Sequence, residues 1–443
     1  MLFNVKLYFI LILIPLLFFA CSATKVPLTP QQEADLLYDK AIQLQDSEFY
    51  DEASAQFEEY VRRYPESISA DNAKIQIANT YYQQGKYSEA INEYNDVIEK
   101  YPDSDAADHA LISIGDVYFV QEKYSEAIEA YKRLIQKYPK FGVKLAIDAQ
   151  NRIDAIKDIE ENLKIISEGD ESEKDNAQYD IAEIYFNVFR NFERAKEEYQ
   201  KVVDKWPKSE LSDDALWRIA ECHWNIASRQ LPSTRFSQEQ IAYIELMENY
   251  DRFPQLAKIR LFRMDAHWPA ATREAREYEL AFAQTRRIIN KYPNLPEKKV
   301  TDFTSDDYKK AFDKWQEIIL VYPHTDRAIE APLRIAQALI ELGNLYYNMG
   351  QKHFASLFFK ESLRVIPTPE GHLGMARYYG NITSVLSPSW AYRRAFYHIR
   401  KAEELVHPGS PMADKVNWAK EWMNYKMRIE GLESWPDKNT KKR

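Results

Sequence analysis

The stretch YDEASAQFEEYVRRYP at residues 50–65 returns as YSEAINEYNDVIEKYP at 87–102 and as YSEAIEAYKRLIQKYP at 124–139, a spacing of 37 residues. Four further copies of the pattern lie at 192–207, 278–293, 308–323 and 352–367. In all seven copies an alanine stands twelve residues before the closing proline: Ala53, Ala90, Ala127, Ala195, Ala281, Ala311 and Ala355. Self-similarity of this kind predicts a repeat architecture.

Each copy has the periodicity of a helix. Ala90, Tyr94, Val97 and Ile98 fall on one stripe of a helix with 3.6 residues per turn. The closing proline lacks an N–H group and disfavours helix in the residue before it, so each helix should end near that residue. A second helix type precedes the first, and small residues on it stand twelve positions before the partner alanine: Ala41, Ala78, Gly115 and Gly343. Small residues there allow the two helices to pack closely.

This order of small residue, aromatic, alanine, aromatic and proline resembles the tetratricopeptide repeat. The resemblance implies an all-α fold, a tetratricopeptide-type superhelical solenoid of antiparallel helix pairs. Only 11 glycines among 443 residues agree with a helical chain that has few glycine-dependent turns. We expect an N-terminal array over 33–228, an irregular repeat or insertion over 229–275, a C-terminal array over 276–385, capping helices over 386–431 and a basic tail over 432–443.

The amino terminus has the pattern of an export signal. Lys6 precedes an apolar run of thirteen residues, Leu7–Phe19, which predicts a signal peptide over 1–20. Such a run is shorter than the roughly 20 residues that span a bilayer. Ala20 followed by Cys21 resembles the bacterial lipobox, which implies cleavage before Cys21 and a covalent lipid on it, with residues 21–32 as the lipidated cysteine and a short tether. Simple secretion into the periplasm is the alternative.

The combination of lipobox, short tether and 37-residue repeats resembles the BamD/YfiO family. Further marks of the resemblance are the Tyr-Pro ending followed by serine, as at Ser67 and Ser104, and Ser22 after the cysteine, which resembles the outer-membrane sorting pattern. Members of this family are outer-membrane lipoproteins that act in assembly of β-barrel proteins. The resemblance implies a membrane-anchored, periplasm-facing scaffold in the cell envelope. The periplasmic coordinator that accompanies the Tol–Pal system is similar in its repeats and is the alternative.

Proteins or extended peptides of the cell envelope are the expected partners, with the membrane reached through the lipid. A net charge of -9 without a broad basic surface argues against nucleic acid. The first helix of each pair faces the concave side of such a solenoid, where amide and aromatic groups suit a peptide. The predicted peptide-binding residues are Tyr38, Asn72, Asn79, Tyr82, Gln83, His109, Asp116, Phe119, Asn344, Tyr347 and Asn348. Ordinary surface or packing between repeats is the alternative for these positions.

An enzyme is the less favoured interpretation. Glu361 followed by Ser362 is similar to the catalytic pair of lytic transglycosylases, which also occur on helical superhelices. The equivalent position is charged with either sign in the other copies, which is typical of a solvated face without the raised pKa of a general acid. We expect no catalytic residue, no metal site and no cofactor besides the lipid on Cys21. Cys222 is predicted to be a buried core residue.

Overall fold

The computed structural model describes residues 29–137, 143–229, 236–252, 273–381 and 388–432. Within these ranges every regular element is helical, and the predicted all-α fold of tetratricopeptide-type helix pairs is confirmed. The signal peptide, Cys21, most of the tether and residues 433–443 of the basic tail lie outside the described residues. The chain forms two compact units, Met1–Lys157 and Asp158–Arg443.

The first unit contains three helix pairs. They are α1 (Pro30–Asp46) with α2 (Tyr50–Arg63), α3 (Ala70–Gln83) with α4 (Tyr87–Lys100), and α5 (Asp105–Val120) with α6 (Tyr124–Lys137). The long helix α7 (Val143–Glu168) begins in the first unit and ends in the second. Thr29 starts α1 with a capping box, in which its hydroxyl accepts from the Gln32 amide and the Gln32 side chain accepts from the Thr29 amide.

The second unit continues the pairing and then interrupts it. Its pairs are α8 (Glu171–Asn187) with α9 (Phe192–Lys205), α10 (Ser212–Ser228) with α13 (Asp306–Val321), α14 (Asp326–Asn348) with α15 (Lys352–Val365), and α16 (Pro369–Tyr379) with α17 (Pro388–Leu405). Between α10 and α13 lie α11 (Gln238–Arg252), α12 (Arg273–Lys291) and two 3₁₀ turns at Leu295–Glu297 and Val300–Phe303. Helix α18 (Pro411–Ile429) packs on α16 and α17.

The repeat motif ends its helices as expected. In each of the seven copies the helix that carries the motif stops two residues before its proline, as α4 does at Lys100 before Pro102. The serine after the proline then begins the next pair. Ser209 accepts from the Leu211 amide and donates to Asp175 at 2.6 Å, and Ser104 donates to Asp71 in the same way. At these two places the serine two residues after the proline ties its repeat to the first helix of the repeat before it.

The small residues lie where two helices approach most closely. Ala41, Ala78, Ala53 and Ala90 are fully buried. Gly115 lies against the ring of Tyr131 on its partner helix, and an added Cβ atom there would be 2.3 Å from that ring. A larger side chain would force the helices apart, so the predicted role of the small residues is confirmed.

The irregular region is an insertion between the two helices of a single pair. α10 packs directly against α13, where Trp224 contacts the Tyr308 ring edge-on at 4.8 Å. Ala311 stands 91 residues after Ala220 in this pair, instead of the twelve that follow Ala41, Ala78, Gly115 and Gly343. The insertion runs from the end of α10 to the start of α13, beyond the expected 229–275. It includes the copy at 278–293, which belongs to α12 and packs against α11 rather than in the C-terminal array.

Only one of the two expected capping helices is a terminal helix. α17 packs against α16 as the second helix of a pair, so α18 alone is the terminal helix. Ser410 starts α18 by accepting from the Ala413 amide, as its sequence position indicates. The other expected helix start, Ser387, lies outside the described residues.

Candidate protein-binding surfaces

Two of the predicted peptide-binding residues, Asn79 and Asp116, form hydrogen bonds within their own repeats. The Oδ1 atom of Asn79 accepts from the Tyr94 hydroxyl at 2.5 Å, and its Nδ2 atom donates to Gln76 at 3.1 Å. Asp116, which is 37 residues further along, accepts from the Tyr131 hydroxyl at 2.6 Å. Burial raises the pKa of both tyrosines, so each remains a neutral donor. These polar groups join the two helices of a pair and are not available to a peptide backbone.

The same position carries ion pairs from repeat to repeat. Arg152 of α7 contacts Asp116 at 2.6 Å. In the second unit Glu183 accepts from the Tyr199 hydroxyl and pairs with Arg218 of α10, both at 2.6 Å. Each acidic residue directly follows the small residue of its first helix, and each arginine comes from a following helix.

A third ion pair of this kind crosses the insertion. Glu221 of α10 pairs with Arg334 of α14 at 2.8 Å, and the Arg334 guanidinium also lies 4.7 Å from the centre of the Trp315 ring. The position is thus used for packing between repeats, which was the alternative interpretation of Asp116.

The aromatic members of the predicted surface differ in exposure. Phe119 is only 2% exposed and lies in the core, so its expected exposure is wrong. Tyr38 is half-buried and meets the rings of Phe57 and Tyr60 edge-on. Tyr82 is half-buried beside Tyr87, and burial raises its pKa to about 12. Tyr38 and Tyr82 can present a ring edge to a partner, whereas Phe119 cannot.

Three predicted residues of the first unit are exposed: Asn72, Gln83 and His109. Asn72 and His109 occupy equivalent positions of α3 and α5, 37 residues apart. Asn72, Gln83, His109 and the half-buried Tyr82 form what we call the first-helix surface. Amide, imidazole and phenol groups on such a surface can exchange hydrogen bonds and supply ring contacts with a bound chain.

Two of the three predicted residues of the second unit, Tyr347 and Asn348, lie beside a cavity. Asn344 and Asn348 are exposed, but Tyr347 is buried. Its hydroxyl accepts from Asn381 at 2.6 Å, and the Arg377 guanidinium lies 3.8 Å from the centre of its ring. Arg377 also donates to Asn348 at 3.4 Å. Tyr347 therefore supports the position of Arg377 and does not project into solvent.

This C-terminal cavity has a volume of about 530 Å³. Its walls come from α14, α16 and α18, with Asn381 just beyond α16. Trp418 and Trp422 are four residues apart on α18 and stack at 6.1 Å with nearly parallel rings. The described residues that line it are Tyr347, Leu373, Ala376, Arg377, Asn381, Lys415, Trp418, Ala419, Trp422 and Met423. The sequence analysis missed this site, and the spacing of the two tryptophans is the signal that could have indicated it.

The residues considered for catalysis are used structurally. Glu361 pairs with Arg364 at 2.9 Å, while Ser362 is fully buried and donates to the Phe359 carbonyl at 2.8 Å. Cys222 is fully buried, as predicted, and burial raises the pKa of its thiol. Within the described ranges no three metal-ligating side chains converge, and no helix is long and apolar enough to cross a membrane.

Comparison with known families identifies the repeats. Residues 30–167 match the YfiO family, described as an outer membrane lipoprotein, and residues 176–209 match a tetratricopeptide-repeat family. The first match runs from α1 into the last turn of α7, and the second covers most of the pair formed by α8 and α9. The chain has a fold of tetratricopeptide-type helix pairs and resembles the YfiO lipoproteins over residues 30–167. Both families support a protein-interaction scaffold.

Solved structures with similar repeats share little sequence with the chain. A tetratricopeptide repeat protein from Parabacteroides merdae is 12% identical, with 88% of this chain and 99% of that chain covered and a TM-score of 0.22. The complex of the TPR2AB domain of yeast Sti1 with pHSP90 is 15% identical, with 57% and 98% covered and a TM-score of 0.24. No curated protein sequence matches the chain.

Proposed function

We propose that this chain is a lipid-anchored protein-binding scaffold of the bacterial outer membrane that acts in assembly of β-barrel proteins. The match of residues 30–167 to the YfiO family carries the proposal. It covers all three helix pairs of the first unit, including the first-helix surface. The chain acts by holding partners and has no catalytic step, in keeping with the internal use of Glu361 and Ser362.

The anchor follows from the amino-terminal sequence. Cleavage before Cys21 and acylation of its thiol would leave nine residues before α1, which begins at Pro30. Such a tether spans at most about 3.3–3.6 Å per residue, so α1 would lie close to the periplasmic face of the outer membrane. Several acyl chains on one cysteine hold a protein stably, whereas a single chain holds it only marginally.

The first-helix surface is the proposed contact for a partner in assembly. Asn72 and His109 repeat the same exposed position on α3 and α5, so a partner that lies across the two helices meets both side chains. Because both are exposed, alanine at either position should leave the helix pairs intact. Asn79 is not a suitable test position, since its loss would remove the acceptor of the Tyr94 hydroxyl.

The test is a comparison of four forms in labelled, detergent-solubilised membranes. They are the wild type, Cys21→Ala, the double variant Asn72→Ala with His109→Ala, and Asn92→Ala as a matched control. Asn92 is an exposed asparagine on α4, the second helix of the same pair as α3. Palmitate label and co-purified proteins are measured for each form, and the thermal stability of the double variant is checked separately.

We expect palmitate on every form except Cys21→Ala. The wild type and Asn92→Ala should recover a β-barrel assembly protein, and the double variant should recover at least about tenfold less, the effect of losing about 1.4 kcal/mol at an interface. An unlabelled wild type would contradict the anchor and place the chain free in the periplasm. Recovery of Tol–Pal proteins without any β-barrel assembly protein would favour the alternative role.

A further inference from the structure

The terminal helix α18 carries an unusual outer face for the end of a repeat array. Trp418, Tyr425 and Ile429 are 65%, 60% and 66% exposed, and Trp422 lies in the same row. These four residues have the spacing of one helical stripe. A terminal capping repeat normally has a polar outer face, because that face meets water. The apolar stripe on α18 therefore indicates a surface that is covered by a partner.

The C-terminal cavity opens beside this stripe and shares Trp418 and Trp422 with it. Leu373, Ala376 and Met423 make the deeper wall apolar. A volume of about 530 Å³ lies within the range of about 300–1,000 Å³ that is typical of ligand pockets. An aromatic or aliphatic side chain that entered it would exchange water for the flat faces of two tryptophans.

The charged groups of the cavity all have one sign. Arg377 and Lys415 are exposed, and among the residues that the structure describes neither has a carboxylate partner. Within the described part of the chain no acidic side chain lines the cavity. Because the chain as a whole has a net charge of -9, this cationic site favours an anionic group on the ligand. The Tyr347 ring and the hydrogen bond to Asn348 fix the position of the Arg377 guanidinium.

The hydrogen-bond inventory favours a carboxylate over the hydroxyl groups of a sugar. Arg377, Lys415 and the tryptophan N–H groups can only donate. The side-chain amide of Asn381 is already engaged, since its Nδ2 atom donates to the Tyr347 hydroxyl and its Oδ1 atom accepts from Lys426. A sugar hydroxyl would therefore find donors but few acceptors. A carboxylate accepts only, and so it matches the cavity.

We propose that the C-terminal cavity and the α18 stripe bind an acidic segment of a partner protein. An aromatic or aliphatic side chain of the segment enters the cavity against Trp418 and Trp422, and neighbouring Asp or Glu carboxylates contact Arg377 and Lys415. The site lies entirely in the second unit, outside residues 30–167. It does not depend on the proposed role in outer-membrane assembly, and either can fail without the other.

Fluorescence anisotropy of labelled peptides on the full chain tests the proposal. The probe is an acetylated and amidated peptide with one Phe flanked on each side by two Glu residues. Two comparison peptides replace all Glu with Gln or Phe with Ala. Trp418→Ala removes the exposed stacking surface, Lys415→Gln and Arg377→Gln remove the cations, and Arg428→Gln is a control that removes an exposed charge of α18 outside the cavity lining.

We expect the acidic probe to bind at least about tenfold more tightly than either comparison peptide. Trp418→Ala should weaken it about tenfold, and each cation variant several-fold, with a reduced dependence on salt. Arg428→Gln should leave the affinity unchanged. Because the three substituted side chains are exposed, unchanged melting temperatures should accompany these losses.

Three results would overturn the proposal. Equal binding of the acidic and the Gln-substituted peptides would show that charge does not select the ligand. Binding of a soluble peptidoglycan fragment in place of the peptides would assign the cavity to a glycan. Absence of peptide binding together with dimerisation that Trp418→Ala abolishes would assign the stripe to a second copy of the chain.

Discussion

The ring of Phe359 lies against the backbone of Gly343, and a Cβ atom at that glycine would be 2.6 Å from the edge of the ring. Gly374 of α16 lies against the same ring, where its Cβ atom would be 2.5 Å away. Phe359 is fully buried between the two glycines. The ring therefore joins α14, α15 and α16, and both glycines lie against the same edge of it.

Gly343→Ala should destabilise the second unit even though alanine is the better helix former. Alanine gains about 1 kcal/mol in a helix, whereas overpacking a full core costs about 1–3 kcal/mol. Because the Phe359 ring is fully buried and packed against two helices, we expect a net loss of about 1–2 kcal/mol, measured by urea unfolding. Asn344→Ala, an exposed substitution on the same helix, should not destabilise. Adding Phe359→Leu to Gly343→Ala should recover part of the loss, and no recovery would contradict this packing.

Arg152→Gln should destabilise the first unit by about 2 kcal/mol, because Asp116 would lose its charged partner in a partly buried site. The side chains of Arg152 and Asp116 are only 15% and 31% exposed. Lys157→Gln is the matched control, since its pair with Asp154 is more than half exposed on both sides and should contribute less than about 1 kcal/mol. Chemical denaturation of both variants checks the difference, and equal losses would count against a structural role for Asp116.

The helix pairs and their small contact residues could be predicted because both leave a periodic pattern in sequence. The role of Asn79 could not, because an amide on that face has the same spacing whether it meets solvent or a tyrosine hydroxyl from the partner helix. Tyr94 was assigned to the apolar stripe by its ring, but its buried hydroxyl also needs an acceptor. Glu221 and Arg334 are 113 residues apart in the sequence, and a periodic pattern does not predict which distant residues form an ion pair.

The bounds of the insertion could not be predicted, because two copies of the motif were possible partners of α10. The copies at 278–293 and 308–323 carry the same spacing of alanine and proline, so either could have supplied the partner of α10. Packing of Trp224 against Tyr308 and Trp315 shows that the second copy is the partner. The C-terminal cavity was not predicted. Tyr347 was the one lining residue named from the sequence, and the wall from α18 belongs to a helix that was expected to act as a cap.

Glu48→Gly should stabilise the first unit by up to about 1 kcal/mol. The turn between the helices of a pair has one left-handed residue two positions before the second helix, and glycine occupies it at Gly85 and Gly350. Glu48 has a φ of 62° at the same place, which is strained for a side chain with a Cβ atom. Glu48→Gln controls for the charge and should be near neutral, while the reverse change Gly85→Glu should destabilise. Thermal unfolding of the three variants tests the order, and a loss of stability in Glu48→Gly would contradict it.

The contact between Glu248 and His353 should make the docking of the insertion depend on pH. Glu248 lies on α11 and His353 on α15, and their hydrogen bond raises the pKa of the imidazole above its ordinary value, against burial and the charges of Lys352 and Lys360. A raised pKa in the folded state means that the stabilisation is fully present below the unfolded value of about 6.5 and is lost as pH rises through the folded pKa. Both side chains are 42% exposed, so we expect less than about 1 kcal/mol.

The measurement is the difference in unfolding free energy between the wild type and Glu248→Gln across pH. The wild type should be more stable at about pH 5.5, and the difference should vanish by about pH 8.5. His372 changes in the opposite sense, because burial lowers its pKa and its folded form loses stability as pH falls below about 6.5. That contribution is common to both forms and cancels in the difference. A difference that stayed constant with pH would mean that Glu248 acts through packing and not through the charge of His353.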